Sequence, residues 1–363
     1  LNFIKITKRD DLPRNKAILI RGGAILLSLI CAGLVMLIFG LEPIKIYTEI
    51  INGSLGSEMR IKQTIIKAIP LVITSLGILV AFKMKFWNIG AEGQIIMGAM
   101  AAAYVALNYG ETPKPVLLLL MVIASMLAGG IWAFIPAFFK AKMGTNETIF
   151  TLMMNYIAIK FVTYLQYGPW KDPGAQGFPK IAQFGDNAVL PTVFGVHAGW
   201  IIALILVALM YIFINHTKKG YEITVVGESL ETARYAGMNI KSIIITAMLI
   251  SGGLCGLTGM IQASAIERTL TSGISAGYGF TAIITAWLAR LNAIAVLVVC
   301  ILFAMLIQGG AYLQIAMNVP ESVASLVQGS VLFFVLGSDF FIQYKVSLQG
   351  LFRKKNAEEG GAA

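Results

Sequence analysis

Phe86-Trp87-Asn88-Ile89-Gly90-Ala91-Glu92-Gly93-Gln94 stands between two long apolar stretches. Lipid offers no hydrogen bonds, so polar groups persist inside a membrane domain only where protein or a water-filled path satisfies them. Asn88, Glu92 and Gln94, interleaved with Gly90 and Gly93, therefore predict polarity turned toward something that passes through. Downstream, Gly98 and the alanines between Ala99 and Ala103 give a helix of little bulk, suited to close packing and compatible with lining a path.

Composition agrees. The chain is 57% hydrophobic and 13% charged, against roughly 45–50% and 25% for soluble domains. Its mean hydropathy is +0.79. These values predict an all-α, polytopic membrane helix bundle. The net charge of +10 does not imply nucleic acid, because Lys and Arg gather at the ends of apolar runs, as the positive-inside rule requires.

Windows of roughly 17–25 apolar residues place ten spans near 18–39, 64–82, 89–108, 115–139, 146–167, 199–215, 243–266, 276–291, 293–315 and 321–341. The run Ala24–Phe39 follows a basic head and lacks a clear small-residue cleavage site, so it is read as a retained first span. Ten spans put both termini on the cytoplasmic side. The inner segments then hold Lys83, Lys85, Lys140, Lys142, Lys218, Lys219, Arg234, Lys241, Arg290 and Arg353–Lys355, whereas the outer ones are balanced in charge. The expected organisation is a cytoplasmic segment 1–17, a transmembrane domain 18–341 interrupted by a cytoplasmic loop 216–242, and a cytoplasmic tail 342–363.

The outer connection Gly168–Gly199, with four prolines, predicts an irregular loop. In the inner one, Glu228–Gly237 predicts a short helix capped by Ser229 and ended by Gly237, with Leu230, Ala233 and Ala236 on one face. Such a helix is either a docking element or a solvated connector. Farther back, Thr145 or Asn146 is placed to cap the fifth span. Glu147 suits its positive end, and Asn155 lies about two turns deeper without that explanation.

Enzymatic constellations are missing. No Gly-x-x-x-x-Gly-Lys-Ser/Thr phosphate loop occurs, nor a His-Glu-x-x-His or a Ser/His/Asp set, so catalysis by this chain alone is not expected. Cys31, Cys255 and Cys300 each sit in an apolar run without metal spacing, and His197 and His216 stand alone, so no metal site is expected. Gly252 and Gly256 form a GxxxG, which permits close helix contact. Glu92 has two readings, a substrate ligand or a satisfied structural acceptor.

The Phe86–Gln94 string, Asn146-Glu147 with Asn155-Tyr156, Arg234-Tyr235-Ala236-Gly237-Met238 and Gly277–Ile283 together resemble bacterial ABC-importer permeases. The similarity covers roughly residues 15–345 and is nearest the nucleoside-type branch, a relative of the ribose and branched-chain amino-acid permeases. The chain departs from that pattern after Ile283, where Ile284–Ala293, with a bulky Trp287, stands in place of a Val-Ala-Leu-Leu-Gly-like run and an Asn-Pro. The resemblance implies a type II-like importer fold in the bacterial cytoplasmic membrane, working by alternating access. It implies a second homologous permease subunit, an ATPase with two nucleotide-binding domains that carries the ATP and Mg, and an external substrate-binding lipoprotein. No cofactor would be bound by this chain. The resemblance places Asn88, Glu92, Gln94, Asn155, Tyr278 and Phe280 along a substrate path, and Glu228, Ala233, Arg234, Tyr235 and Gly237 at the ATPase contact. A pentose or other sugar is the second cargo reading. An ion-coupled secondary transporter and a membrane scaffold are the readings from other classes.

Overall fold

The structure, a computed structural model, describes residues 5–8, 14–175, 177–320 and 322–347. In chain order it comprises β1 (Lys5–Lys8), α1 (Arg14–Ile38), α2 (Pro43–Leu55), α3 (Glu58–Lys83), α4 (Ala91–Asn108), α5 (Lys114–Met143) and α6 (Glu147–Tyr167). The short strands β2 (Thr192–Val193) and β3 (Val196–His197) lead into α7 (Gly199–His216), α8 (Lys218–Glu228) and α9 (Leu230–Tyr235). Then come α10 (Ile240–Ile261), extended by a π-helical turn Gln262–Glu267, α11 (Tyr278–Leu288), α12 (Ala293–Met317), α13 (Ser322–Gln343) and β4 (Tyr344–Ser347).

Every expected span coincides with a helix. Among the described residues, α3, α5, α6, α7, α10 and α12 are long and apolar enough to cross a membrane, and α1 with α2 adds a seventh if their 114° bend lies within one span. The chain is thus a mainly helical, multi-pass membrane protein. The eighth span is shorter than expected, because α11 covers 11 residues instead of 276–291. Arg290 and Leu291 take positive φ (53° and 54°), a conformation that ends a right-handed helix.

Three further differences concern connections. Residues 43–55, expected as an outer connection, form α2: Pro43 suits a first helical turn, and Ile46, Ile50 and Gly53 repeat at helical spacing on its buried side. The inner connection holds two helices rather than one, with Glu228 closing α8 instead of entering α9. Within α9 Ala233 is buried, while Leu230 at its start and Ala236 just past its end are exposed. The expected outer loop is irregular apart from a single β-bridge between Lys171 and Ile181, a 3-10 turn at Asp186–Ala188 and a small hairpin, β2 with β3, whose turn residues Phe194 and Gly195 both have positive φ. Of the expected terminal segments, residues 1–4, 9–13 and 348–363 lie outside the described residues.

Two units partition the chain, residues 1–54 with 309–363 and residues 55–308. In the first, α1 packs along α13, and β1 pairs antiparallel with β4, Lys5 opposite Ser347. Its α2 is tied back to α1 by the Tyr47 hydroxyl donating to the Leu29 carbonyl at 2.6 Å.

In the second, α3 and α10 form the centre, with 83% and 72% of their apolar windows buried against 28–39% for the flanking spans α5, α6, α7 and α12. Helix α10 lies directly on α4 and α5 because glycines allow it. A Cβ at Gly256 would meet the Ser125 carbonyl, one at Gly98 would meet the Gly256 backbone, and one at Gly252 the Gly129 carbonyl. The GxxxG pair does what its spacing implies. With few bulky side chains between them, these three helices hold the segment before α4 in fixed register.

Candidate functional site

Met84–Gly90 leaves the end of α3 and turns back into the bundle before α4 begins. The Asn88 side chain reaches the Ser251 hydroxyl (3.1 Å), the twelfth residue of the 22-residue α10. At about 1.5 Å per residue this is roughly 16 Å along α10 from its first residue. Asn88 is fully buried, and its amide is used on every side. Nδ2 donates to Gln94 Oε1 (3.2 Å), and Oδ1 accepts from Gln94 Nε2 (3.0 Å) and from the Gly90 N–H (3.1 Å). The Asn88–Gln94 pair thus closes the turn into α4, satisfying backbone that lipid could not.

Helix α6 grips the same turn from outside. Asn155 accepts from the Gly93 N–H at 2.8 Å and donates to the Ile89 carbonyl at 2.9 Å, and Thr151 Oγ1 accepts from the Ile89 N–H at 3.2 Å. Close approach explains the glycines: a Cβ on Gly93 would stand 3.0 Å from the Asn155 Cα, and one on Gly90 3.0 Å from the Thr151 Cβ. The start of α6 is set by Asn146, whose side chain accepts from the Thr148 and Ile149 N–H groups. Glu147 in its first turn pairs with Lys140 at 2.7 Å.

Glu92 joins two helix beginnings. Its Oε1 accepts from the Gly279 N–H at 2.9 Å and the Phe280 N–H at 3.4 Å, so a carboxylate on the first turn of α4 caps the first turn of α11. A Cβ on Gly279 would collide with the backbone of Glu92, which requires glycine there. Tyr278 is 7% exposed, whereas Phe280 is 47% exposed. All six expected path residues are therefore drawn to one region, where the side chains of Asn88, Glu92, Gln94 and Asn155 hydrogen-bond to protein. Near the same turn, Phe82, Trp87 and Trp287 form an aromatic cluster with ring centroids 5.4–5.7 Å apart.

Sequence reasoning passed over Thr151, Ser251 and the buried Ser75–Thr285 hydroxyl pair (2.6 Å) that ties α3 to α11. Thr151 had a signal, lying one turn before Asn155 on the same face; the partners of Ser251 and Ser75 are far away in sequence and left none.

Between α8 and α10, Ser229 caps α9 by accepting from the Thr232 N–H, and Gly237 ends it at φ +69°. Ala233 is fully buried, Glu228 and Arg234 are exposed, and Tyr235 is 95% exposed. A cavity of about 430 Å³ lies beside α9, lined by Glu228, Leu230 and Glu231 on one side and Lys85 and Lys140 on the other. Gly227 of α8 sits so close to the end of α3 that a Cβ would strike the Lys83 carbonyl. The loop is thereby in direct contact with the start of the Met84–Gly90 turn. Among the described residues no group of three or more His, Cys, Asp or Glu is placed to hold a metal.

Comparison with known proteins adds the family. Residues 60–336 match the family model described as branched-chain amino acid transport system / permease component. A glucose ABC transporter permease of Haloferax volcanii is 33% identical over 337 residues, 89% of this chain and 88% of that protein. A guanosine ABC transporter permease of Bacillus subtilis is 32% identical over 345 residues, 92% of this chain and 96% of that one. A nucleoside ABC transporter permease of Lactococcus lactis is 30% identical over 323 residues, 86% and 88% respectively. With the model matching well over half its length, the chain belongs to the branched-chain amino acid transport system permease component family.

Proposed function

We propose that this chain is the membrane-spanning permease subunit of an ATP-driven importer whose cargo is a nucleoside. The observation that carries the cargo is similarity over most of both chains to permeases for guanosine and for nucleosides. A sugar is the second reading, favoured by the glucose permease that is 33% identical over 89% of this chain.

On this reading the chain pairs with a second homologous permease, receives cargo from an extracytoplasmic binding lipoprotein and is driven by a partner ATPase with two nucleotide-binding domains. It sits in the bacterial cytoplasmic membrane with ten spans and both termini inside. The pairing of β1 with β4 supports an even number of crossings, because it holds residues 5–8 beside 344–347.

Coupling enters through α9. An exposed aromatic such as Tyr235, held on a capped helix, is the kind of anchor that fills a partner's pocket. Glu228 and Arg234 offer charge to the same partner. Movement of α9 and α8 would press on the Lys83 carbonyl through Gly227, and from there on the turn whose hydrogen bonds position α4, α6 and α11. ATP binding biases such an arrangement only if it has different affinity for the outward-open and inward-open states. Uptake of labelled guanosine and, separately, of labelled glucose by the reconstituted complex tests the cargo. Saturable uptake of guanosine and not glucose supports the nucleoside reading, and saturable uptake of glucose and not guanosine replaces it with the sugar reading.

A further inference from the structure

Helix α6 carries a charge in its interior. Lys160 is the fourteenth of its 21 residues, about 20 Å along the helix from the first residue and about 10 Å from the last. One side of α6, with Thr151, Asn155, Ala158 and Val162, is buried, and its polar members hold the turn before α4. The opposite side is uncovered, and there Lys160 stands one turn from Tyr156 (58% exposed) and one turn from Tyr164 (64% exposed). Among the described residues Lys160 has no hydrogen-bond or ion-pair partner.

An ammonium at this depth is disfavoured against lipid by on the order of a hundredfold. A second copy of this face would bring another lysine rather than a carboxylate. Glu92 caps α11, Glu147 pairs with Lys140, Glu58 with Lys62 and Glu222 with Lys219, and none of the described acids is paired with Lys160. Neither lipid nor an identical helix face satisfies Lys160, but water does. Meanwhile Asn88, Gln94 and Asn155 are spent on one another and on the backbone, so cargo must meet other groups.

We propose that the uncovered face of α6 lines the water-filled path, where Lys160 donates to the ring and hydroxyl acceptors of the cargo between the rings of Tyr156 and Tyr164. The identity of the cargo rests on the nucleoside reading; the existence of the path does not. An ammonium supplies three donors on a flexible stem, and tyrosine offers a flat surface to a base. A nucleoside is uncharged, so one such donor and two rings hold it loosely enough to let go.

The test uses the full complex with ATPase and binding protein, in a Cys31→Ser background, since Cys255 and Cys300 are fully buried. Tyr156→Cys, Lys160→Cys and Tyr164→Cys are each treated with a charged, membrane-impermeant thiol reagent. Ile205→Cys, exposed on the apolar α7, is the control. Expected are modification at the three α6 positions, several-fold slowing by guanosine, and little reaction at Ile205→Cys. Lys160→Met should lower guanosine uptake on the order of tenfold, with Lys160→Arg retaining most of it. Labelling of the α6 positions no faster than the control overturns the path, as does wild-type uptake by Lys160→Met for the cargo contact. If Lys160→Met does not assemble, the labelling pattern alone decides. Protection by glucose and not guanosine upholds the path and refutes the nucleoside reading.

Discussion

Asn155→Leu separates a residue that touches cargo from one that builds the turn. Asn155 is 2% exposed, and its amide satisfies two backbone groups, the Gly93 N–H at 2.8 Å and the Ile89 carbonyl at 2.9 Å. Leucine fills similar space and satisfies neither. Leaving a buried backbone group without a partner costs about 1–3 kcal/mol, so two cost about 2–6 kcal/mol. Against a total stability on the order of 5–15 kcal/mol, that is a large fraction. The purified variant complex should therefore unfold several degrees lower in detergent, with reduced yield, and guanosine uptake should fall with the amount of folded complex. Asn155→Asp, which keeps the acceptor for Gly93 and loses the donor to Ile89, should fall between. An unchanged melting point and yield with lost uptake would refute the structural reasoning and make Asn155 a cargo contact.

Other outcomes follow from the same geometry. Glu92→Gln keeps an acceptor for the Gly279 N–H but removes its charge; it should cost about 1 kcal/mol and lower transport, seen by melting and uptake together. Gly256→Val drives a side chain into the Ser125 carbonyl and should prevent folding, whereas Gly253→Ala, whose Cβ meets only Met126 at 3.5 Å, should be tolerated; size-exclusion profiles distinguish them. His197 lies in the β2–β3 hairpin, and burial pushes its imidazole down to about 4 from an ordinary 6.5. The unfolded chain binds that proton first as pH falls. Stability should therefore be full above pH 6.5, decline by at most about 1.4 kcal/mol per unit toward pH 4, and level off below, with His197→Phe abolishing this component of a pH series of melts.

Much of this architecture is legible in the sequence because apolar run length is a one-dimensional property. Each of the ten windows overlaps a helix, six of these helices, or seven with the bent α1–α2 pair, being long and apolar enough to cross a membrane, and local chemistry found the Asn146 and Ser229 caps and the Gly237 end. Helix α2 was hidden by Glu42, Lys45 and Glu49, which read as an outer loop when charge is counted before periodicity. Placement of Asn88, Glu92, Gln94 and Asn155 in one region was legible, but their engagement was not. For Asn88 and Glu92 it depends on Ser251, Gly279 and Phe280, brought near by the packing of α10 and α11 on α4, and for Asn155 on the packing of α6 against the Ile89–Gly93 turn. Lys160 was passed over for the opposite reason. A single charge hardly lowers the hydropathy of a 21-residue helix, and its meaning comes from the face it occupies.

The most direct measurement is guanosine accumulation in proteoliposomes carrying the complex of this permease, its ATPase and its binding protein, with ATP supplied or withheld and ion gradients collapsed by ionophores. Accumulation should require ATP and the binding protein and survive loss of the gradients. Gly237→Val, which strains a position at φ +69°, should weaken the ATP dependence. Accumulation that continues without ATP and disappears with the gradients would contradict the importer reading and place the chain among ion-coupled transporters.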